Sequence, residues 1–375
     1  MLKKTHKEGV FYMSHVLFTS ESVTSGHPDK ICDLIADSIL DEAMRQDPNS
    51  HMAVEATIKD DFILVYGEAG TDAVIDYEGI AKRILKEIGF EEDYHVMLKV
   101  NRQSPEINQA VRGNQLAAGD QGIMFGYACN ETDALMPFAI WCAHRLAERL
   151  EKVRRCDARL GPDGKTQVTA EYQDGVLKRI DTIIISTQHT SGITQPELYD
   201  LMVEQVIRPV VDPALIDENT KYIINPSGAF TIGGSWGDSG TTGRKIVVDS
   251  YGGYAPIGGG CFSSKDPTKV DRSAAYYARY VCRNIVANGL ADKVQLQLSY
   301  AIGIPDPVSV NVMTFGTGKY SDDELLEIVL KNFSFKVEDI INELDLKRPI
   351  YASTTNYGHF GRKDLPWEQY KEISC

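Results

Sequence analysis

The chain has 375 residues, too many for a single small module, and at about 150 residues per domain it suggests two or three domains. Its 39 Lys and Arg against 53 Asp and Glu leave a net charge of −14, which argues against a general nucleic-acid or anionic-membrane binder, since either needs a broad basic face. The 43% hydrophobic fraction suits a large core without disulfides, and the seven cysteines, spread from Cys32 to Cys375 with no CxxC, match neither a disulfide framework nor a zinc site and fit a reducing cytoplasm.

No run approaches about 18 uninterrupted apolar residues, and the apolar stretch within residues 1–13 is too short for a signal peptide, so these residues are expected to form a disordered extension. Pro28 suits a first helical position. Ile31, Leu34, Ile35 and Ile39 then recur at three-to-four spacing up to Asp47-Pro48, which predicts an amphipathic helix over 28–46. Met52, Val54, Ala56 and Ile58 alternate with other residues, as do Phe62, Leu64 and Tyr66 after Lys59-Asp60-Asp61. This is a hairpin pattern, with Glu55 and Thr57 on one side. A helix over 77–88 ended by Gly89, a strand over 95–100 and a polar, turn-rich loop over 101–122 follow. Loops longer than about 15 residues are usually lids, binding loops or linkers.

Next come a helix at about 134–155, a hairpin at about 166–187 turned at Gln173-Asp174-Gly175, a helix at about 195–211 and a strand over 221–225. A glycine-rich stretch leads to a helix that Asp266 can cap, with Pro267 in its first turn, running to about 287. Two strands near 293–315, broken at Pro305 and Pro307, and helices at about 321–332 and 337–344 complete the chain. Hairpins and helices interleave without regular strand-helix alternation, so an α+β fold is expected rather than a doubly wound sheet. Polar, glycine-rich segments suggest boundaries that give ranges 14–115, 116–235 and 236–375.

Residues 228–260 hold eleven of the 31 glycines, which points either to a string of tight turns or to backbone brought close to a ligand. Over residues 244–283, Arg244, Lys245, Lys265, Lys269, Arg272, Arg279 and Arg283 outnumber Asp249, Asp266 and Asp271 by seven to three, a basic island in an acidic chain. Glycine-exposed amides, a helix start and several cations are components of a polyphosphate site, with a solvated charged face as the alternative. No P-loop or GxGxxG fingerprint is present. A chelated triphosphate brings a divalent ion with oxygen ligands, for which Asp29 and Asp271 are candidates. By pattern alone Asp29 could equally belong to a capped helix start, Glu55 and Glu68 could be ordinary hairpin residues, and Phe230 could be core.

The strings TSESVTSGHPDK, GDQGIMFGYA, ETDALMP, STQH, GDSGTTGRKIVVDSYGG, GGGCFSSKDPTKVDRSAAYYARY and YGHFGR occur in this order. Together they resemble the S-adenosylmethionine synthetase (methionine adenosyltransferase) family, from about Ser14 to the end of the chain. The sequence departs from the family pattern at Ala117, Ala229, Cys261 and Ser264. The resemblance implies three similar sheet-plus-helix domains related by pseudo-threefold symmetry, and a homodimer or dimer-of-dimers homotetramer with active sites between subunits. It implies ATP and L-methionine as substrates, with two Mg²⁺ and one K⁺ per site. The methionine sulfur would attack C5′ of ATP and expel triphosphate, which is then cleaved. By the same resemblance His27, Lys165, Arg244, Lys245 and Lys265 are catalytic. His27 stands near the departing oxygen and Arg244 serves chiefly the later hydrolysis. Asp163, Phe230, Asp238, Cys261, Lys269 and Ile302 would contact ATP, with Phe230 stacked on adenine. Glu68, Gln103, Asp120, Asp238 and Lys269 would surround methionine, Asp29 and Asp271 would hold Mg²⁺, and Glu55 K⁺. Residues 103–117 would form a mobile gate.

Overall fold

The computed structural model describes residues 15–102 and 116–375. The expected extension over residues 1–13 lies outside them, as does most of the expected gate, including Gln103. The first helix, α1 (Pro28–Gln46), starts where Pro28 fills the first turn and His27 caps it, the ring Nδ1 accepting the Asp29 N–H at 3.2 Å. Its apolar stripe, Ile31, Ile35, Ile39 and Met44, is buried beneath the alternating inward residues Met52, Val54, Ala56 and Ile58 of β2 (His51–Lys59). β2 turns back into β3 (Phe62–Gly70) in antiparallel register, and α2 (Tyr77–Ile88) returns the chain to β4 (His95–Asn101), parallel to β3. These elements match the sequence reading closely.

Three strands were not foreseen, two of them long and the third, Gly240–Thr241, of only two residues. Residues 15–23 form β1 (His15–Val23), and β5 (Gly122–Cys129) begins at the last residue of the region read as a polar loop. Downstream lie α3 (Phe138–Arg154), the hairpin β6 (Leu160–Gln173) and β7 (Val176–His189), α4 (Gln195–Met202) and β8 (Lys221–Ile224). The predicted helix at 195–211 is regular only to Met202 and continues as a π-helical turn over Val203–Ile207. A two-residue strand β9 (Gly240–Thr241), α5 (Val270–Ala287), β10 (Lys293–Tyr300), β11 (Ser309–Met313), α6 (Asp322–Asn332) and α7 (Val337–Glu343) follow.

The strands make three sheets, ordered β1-β6-β7-β8, β11-β10-β5 and β4-β3-β2-β9, each with helices packed on it. This is the α+β, three-unit architecture expected. Each sheet, however, takes one strand from a different stretch of chain. The first strand completes the sheet of the middle segment, β5 joins the sheet of the last segment, and β9 joins the sheet of the first. The exchange is cyclic, so no sheet closes from consecutive residues alone.

Two sequence expectations need correction. Asp266 does not cap α5, whose N-cap is Lys269 with no side-chain cap bond. The buried Asp266 carboxylate instead accepts the Met52 N–H at 2.7 Å, the Thr268 N–H and hydroxyl, and the Lys269 ammonium, tying the turn before α5 to β2. Nor is the basic island a single surface. Arg272 is buried and paired bidentately with Asp37 of α1 at 2.7 and 2.8 Å, and Arg279 is buried against Glu368. Both are cross-braces of the core. Replacing Asp37 by Ala would leave the Arg272 guanidinium buried without its counter-charge, which costs about 3–5 kcal/mol and is measurable by denaturant unfolding.

Ser264 adopts φ +79, a region that a residue with a Cβ occupies at a cost of about 1–2 kcal/mol. It is buried, and its hydroxyl has no hydrogen-bond partner among the described residues. Its N–H donates to Asp37 at 3.0 Å, which holds the strained residue in place. Ser264→Gly is therefore expected to raise the melting midpoint by about 2 °C and Ser264→Val to lower it, as read by calorimetry.

Candidate active site

Two groups of charged side chains flank β2. The first is built where β1 meets β6. The register of this pair ends at Val23↔Lys165, and the Thr24 N–H bonds the Gly164 carbonyl at 2.9 Å as the chain turns into α1. Gly26 makes that turn possible, because a Cβ there would lie 2.4 Å from the Pro162 carbonyl. His27 is thereby delivered beside Lys165. From the other side β9 pairs with β2, and the Thr241 N–H donates to Asp29 at 3.0 Å. Lys245 then reaches Asp29 at 2.7 Å and Arg244 at 3.4 Å. Asp163 accepts the Gly234 N–H at 2.8 Å, fixing the segment that carries Asp238, while Phe230 exchanges hydrogen bonds with His189 at the end of β7. His27, Asp29, Asp163, Lys165, Phe230, Asp238, Arg244 and Lys245 thus belong to one neighbourhood.

The electrostatics of this group are those of a cationic recess. Burial pushes the His27 imidazole down to about 2, and the nearby Lys245, Lys165 and Lys30 charges add to the effect. With Nδ1 accepting from Asp29, the neutral ring carries its proton on Nε2 and is a donor there. Burial lifts Asp163 to about 6, against the pull of the Gly234 N–H and Lys165. Lys165, Arg244 and Asp238 are exposed, so the recess opens to solvent on that side.

The second group sits on the open face of the β2–β3 hairpin. Ala53, Glu55 and Thr57 face away from the core, and Glu55 accepts the Tyr66 hydroxyl at 3.2 Å. Glu68 lies directly across from Ala53, which also forms a bridge with Lys265 on its other side. Lys265 is ion-paired with Asp271 in the first turn of α5. Lys269 pairs with Asp266, and the Gly119 N–H bonds the Thr268 carbonyl, which brings the Asp120 loop alongside. Ile302 is exposed next to Gly303, whose N–H bonds the Ala118 carbonyl. Glu55, Glu68, Asp120, Lys265, Lys269, Asp271 and Ile302 form this second neighbourhood, with Cys261 at its border. Gly243, at φ +80, has its open side filled by the Cys261 side chain, where a Cβ would come within 2.7 Å. Burial raises the Cys261 thiol to about 11, so it stays protonated. Among the described residues no ion pair joins the charged groups of one neighbourhood to those of the other, and along β2 their anchor points are about 13 Å apart.

Among the described residues no three His, Cys, Asp or Glu side chains converge as a metal cage. Asp29 and Asp271 are each single carboxylates beside lysines. That donor set suits Mg²⁺, which commonly takes one or two carboxylates and completes its shell with phosphate and water. Glu55, half-buried with one hydroxyl partner, leaves carboxylate capacity for a monovalent ion.

Sequence reading missed three buried residues that hold this geometry: Lys30, Asp33 and Asp37. A signal was available, because aspartates recur at 29, 33, 37 and 41, one face of a helix whose neighbouring positions include Ile31, Leu34, Ile35 and Ile39. Among the described residues no helix is long and apolar enough to cross a membrane. Three family models cover nearly the whole chain: the S-adenosylmethionine synthetase N-terminal domain over residues 15–112, the central domain over 115–230 and the C-terminal domain over 232–369. The chain belongs to the S-adenosylmethionine synthetase family and is a methionine adenosyltransferase, a transferase that makes S-adenosylmethionine from ATP and methionine.

Proposed function

We propose that the reaction runs by attack of the methionine thioether sulfur on C5′ of ATP. The S–C5′ bond forms as the C5′–O5′ bond breaks, the electron pair leaves with the triphosphate, and water then cleaves triphosphate to pyrophosphate and phosphate. A thioether has no proton to lose, so no general base is required for the first step. The task of the protein is to stabilise charge on the leaving group. The observation that carries this reading is the gathering of Lys165, Arg244 and Lys245 around a neutral, buried His27 whose Nε2–H is a free donor direction. His27 donates to the departing oxygen. Lys165, Lys245, Lys265 and Lys269 hold the phosphate chain, each worth on the order of 4 kcal/mol at 4 Å and an effective dielectric of about 20, before desolvation. Bound Mg²⁺ would neutralise phosphate charge from Asp29 and Asp271, with K⁺ near Glu55 shaping the second neighbourhood. Asp163, Phe230, Asp238, Cys261 and Ile302 surround the adenosine, and Glu68, Gln103, Asp120, Asp238 and Lys269 the methionine.

The reading extends to assembly. The two neighbourhoods would meet across a homodimer, or within each dimer of a tetramer, the first from one copy facing the second from its partner. This is supported by the separation of the two half-sets and by open sheet faces with half-exposed rows, such as Ala53, Glu55 and Thr57 on β2. The ranges 14–115, 116–235 and 236–375 are proposed as the three repeating units, each lending a strand to another. Seven free cysteines suit a reducing compartment such as the cytoplasm.

Incubation with ATP, methionine, Mg²⁺ and K⁺ is expected to yield S-adenosylmethionine, pyrophosphate and phosphate, with triphosphate cleavage dependent on methionine. Phosphate release that ignores methionine would instead mark a phosphohydrolase. Arg244→Leu is expected to slow hydrolysis of triphosphate at least tenfold more than adenosyl transfer, whereas Lys265→Met should slow both steps, as resolved by separate single-turnover assays.

A further inference from the structure

The four aspartates of α1 are spaced by four residues and lie on one face. Asp29, Asp33 and Asp37 are fully buried and Asp41 nearly so. Each accepts backbone N–H groups from a distant segment: Thr241 to Asp29 at 3.0 Å, Gly243 to Asp33 at 2.8 Å, Ser264 to Asp37 at 3.0 Å, and Tyr351 and Ala352 to Asp41 at 2.9 Å. Lys30 is buried in the same turn as Asp33. Its ammonium lies 3.0 Å from Asp33 and 2.6 Å from Asp249, and these two carboxylates keep it charged despite burial that alone would discharge it.

The consequence falls on Arg244 and Lys245. Immediately before them the Gly243 N–H is held by Asp33. Immediately after them a single helical turn ends at Asp249, whose N–H bonds the Lys245 carbonyl at 2.8 Å and whose side chain is held by Lys30. Both anchors stand on the first two turns of α1, the helix whose start carries His27 and Asp29. We propose that Asp33 and Lys30 are positioning residues: touching no substrate, they clamp both flanks of the Arg244-Lys245 pair and set its height over the N-terminus of α1. This inference rests on the phosphate-binding role assigned above to Arg244 and Lys245.

The geometry sets these two residues apart from Asp41, which makes the same kind of bond on the same helix face but holds residues 351 and 352, away from the cations. A support role in the core alone would make Asp33 and Asp41 equivalent. Positioning makes them different, because a displacement of about 1 Å in a charged group can cost about a hundredfold in rate.

The test compares Asp33→Ala, Asp33→Asn and Asp41→Asn in the full-length protein, measuring S-adenosylmethionine formation and hydrolysis of added inorganic triphosphate separately. Asp33→Ala is expected to lower kcat for triphosphate hydrolysis by about tenfold or more, with KM for triphosphate changed less than about threefold, and to shift the ratio of the two steps in the direction of Arg244→Leu. Asp33→Asn keeps an oxygen for the Gly243 N–H but no charge for Lys30, and should recover only part of the loss, leaving about a threefold shift of the ratio in the same direction. Asp41→Asn should leave the ratio at its original value even where it lowers the melting temperature. Should Asp33→Ala fail to fold, the comparison of Asp33→Asn with Asp41→Asn decides: a ratio shift confined to Asp33 supports the clamp, and equal ratios overturn it. An unaltered protein that forms no S-adenosylmethionine defeats the functional reading itself, while an active one whose Asp33 variants leave the ratio unmoved defeats only the clamp.

Discussion

The row of buried aspartates on α1 is the constraint on which the rest of the site depends. A helix places every fourth residue on one face, one turn further along its axis each time, so four carboxylates in register form a graduated rail. Segments at 241–243, 264 and 351–352, remote in sequence, dock onto it at successive turns through charge-assisted bonds to their backbone N–H groups. Buried carboxylates carry a large desolvation cost, offset here by Lys30, Arg272 and the amides themselves. Removing any one partner strands a charge in the core. The arrangement therefore tolerates few alternatives, and the loops that carry Arg244, Lys245 and Lys265 inherit its definition.

The same logic governs the surface of the site. Lys245 and Arg244 rest on Asp29, and Lys265 rests on Asp271, so the cations proposed to hold phosphate are matched by the carboxylates proposed to hold metal. An anion arriving alone would draw off the lysines and leave Asp29, which is fully buried, without compensation. A polyphosphate that arrives chelated to a divalent ion matches both signs together. Paired charges of this kind also hold the side chains close to their working positions, which limits the reorganisation needed when the leaving group takes up charge.

Much of the fold was legible in the sequence because its signals are local. α1, the β2–β3 hairpin, α2 with its Gly89 stop and the β6–β7 hairpin all follow from periodicity and turn residues. What was illegible is non-local. β1 carries Thr, Ser and Glu in a pattern that becomes a strand only because β6 lies beside it, and β5 lies almost wholly in the stretch after the polar loop to which the sequence reading assigned no element. Those two strands and β9 create the cyclic exchange, and β1 is what delivers His27 to Lys165. The basic island misled for a related reason: charge counting along a helix cannot tell an outward lysine from an inward arginine such as Arg272 or Arg279. The proposed site residues come from the resemblance carried by the ordered motifs, whereas Asp33 and Lys30, proposed as their supports, showed only as a spacing.

The central claim is that two half-sets of charged groups, whose anchor points lie about 13 Å apart along β2 of one chain, complete each other across a pair of chains. Complementation tests it most directly, using a variant disabled in the first half-set, Lys165→Met, co-expressed with one disabled in the second, Lys265→Met. Random pairing makes about half the dimers mixed, each with one intact site, so about a quarter of the original activity should return although each variant alone is nearly inert. A mixture as inactive as its components would show that each site is built within a single chain, contrary to this account.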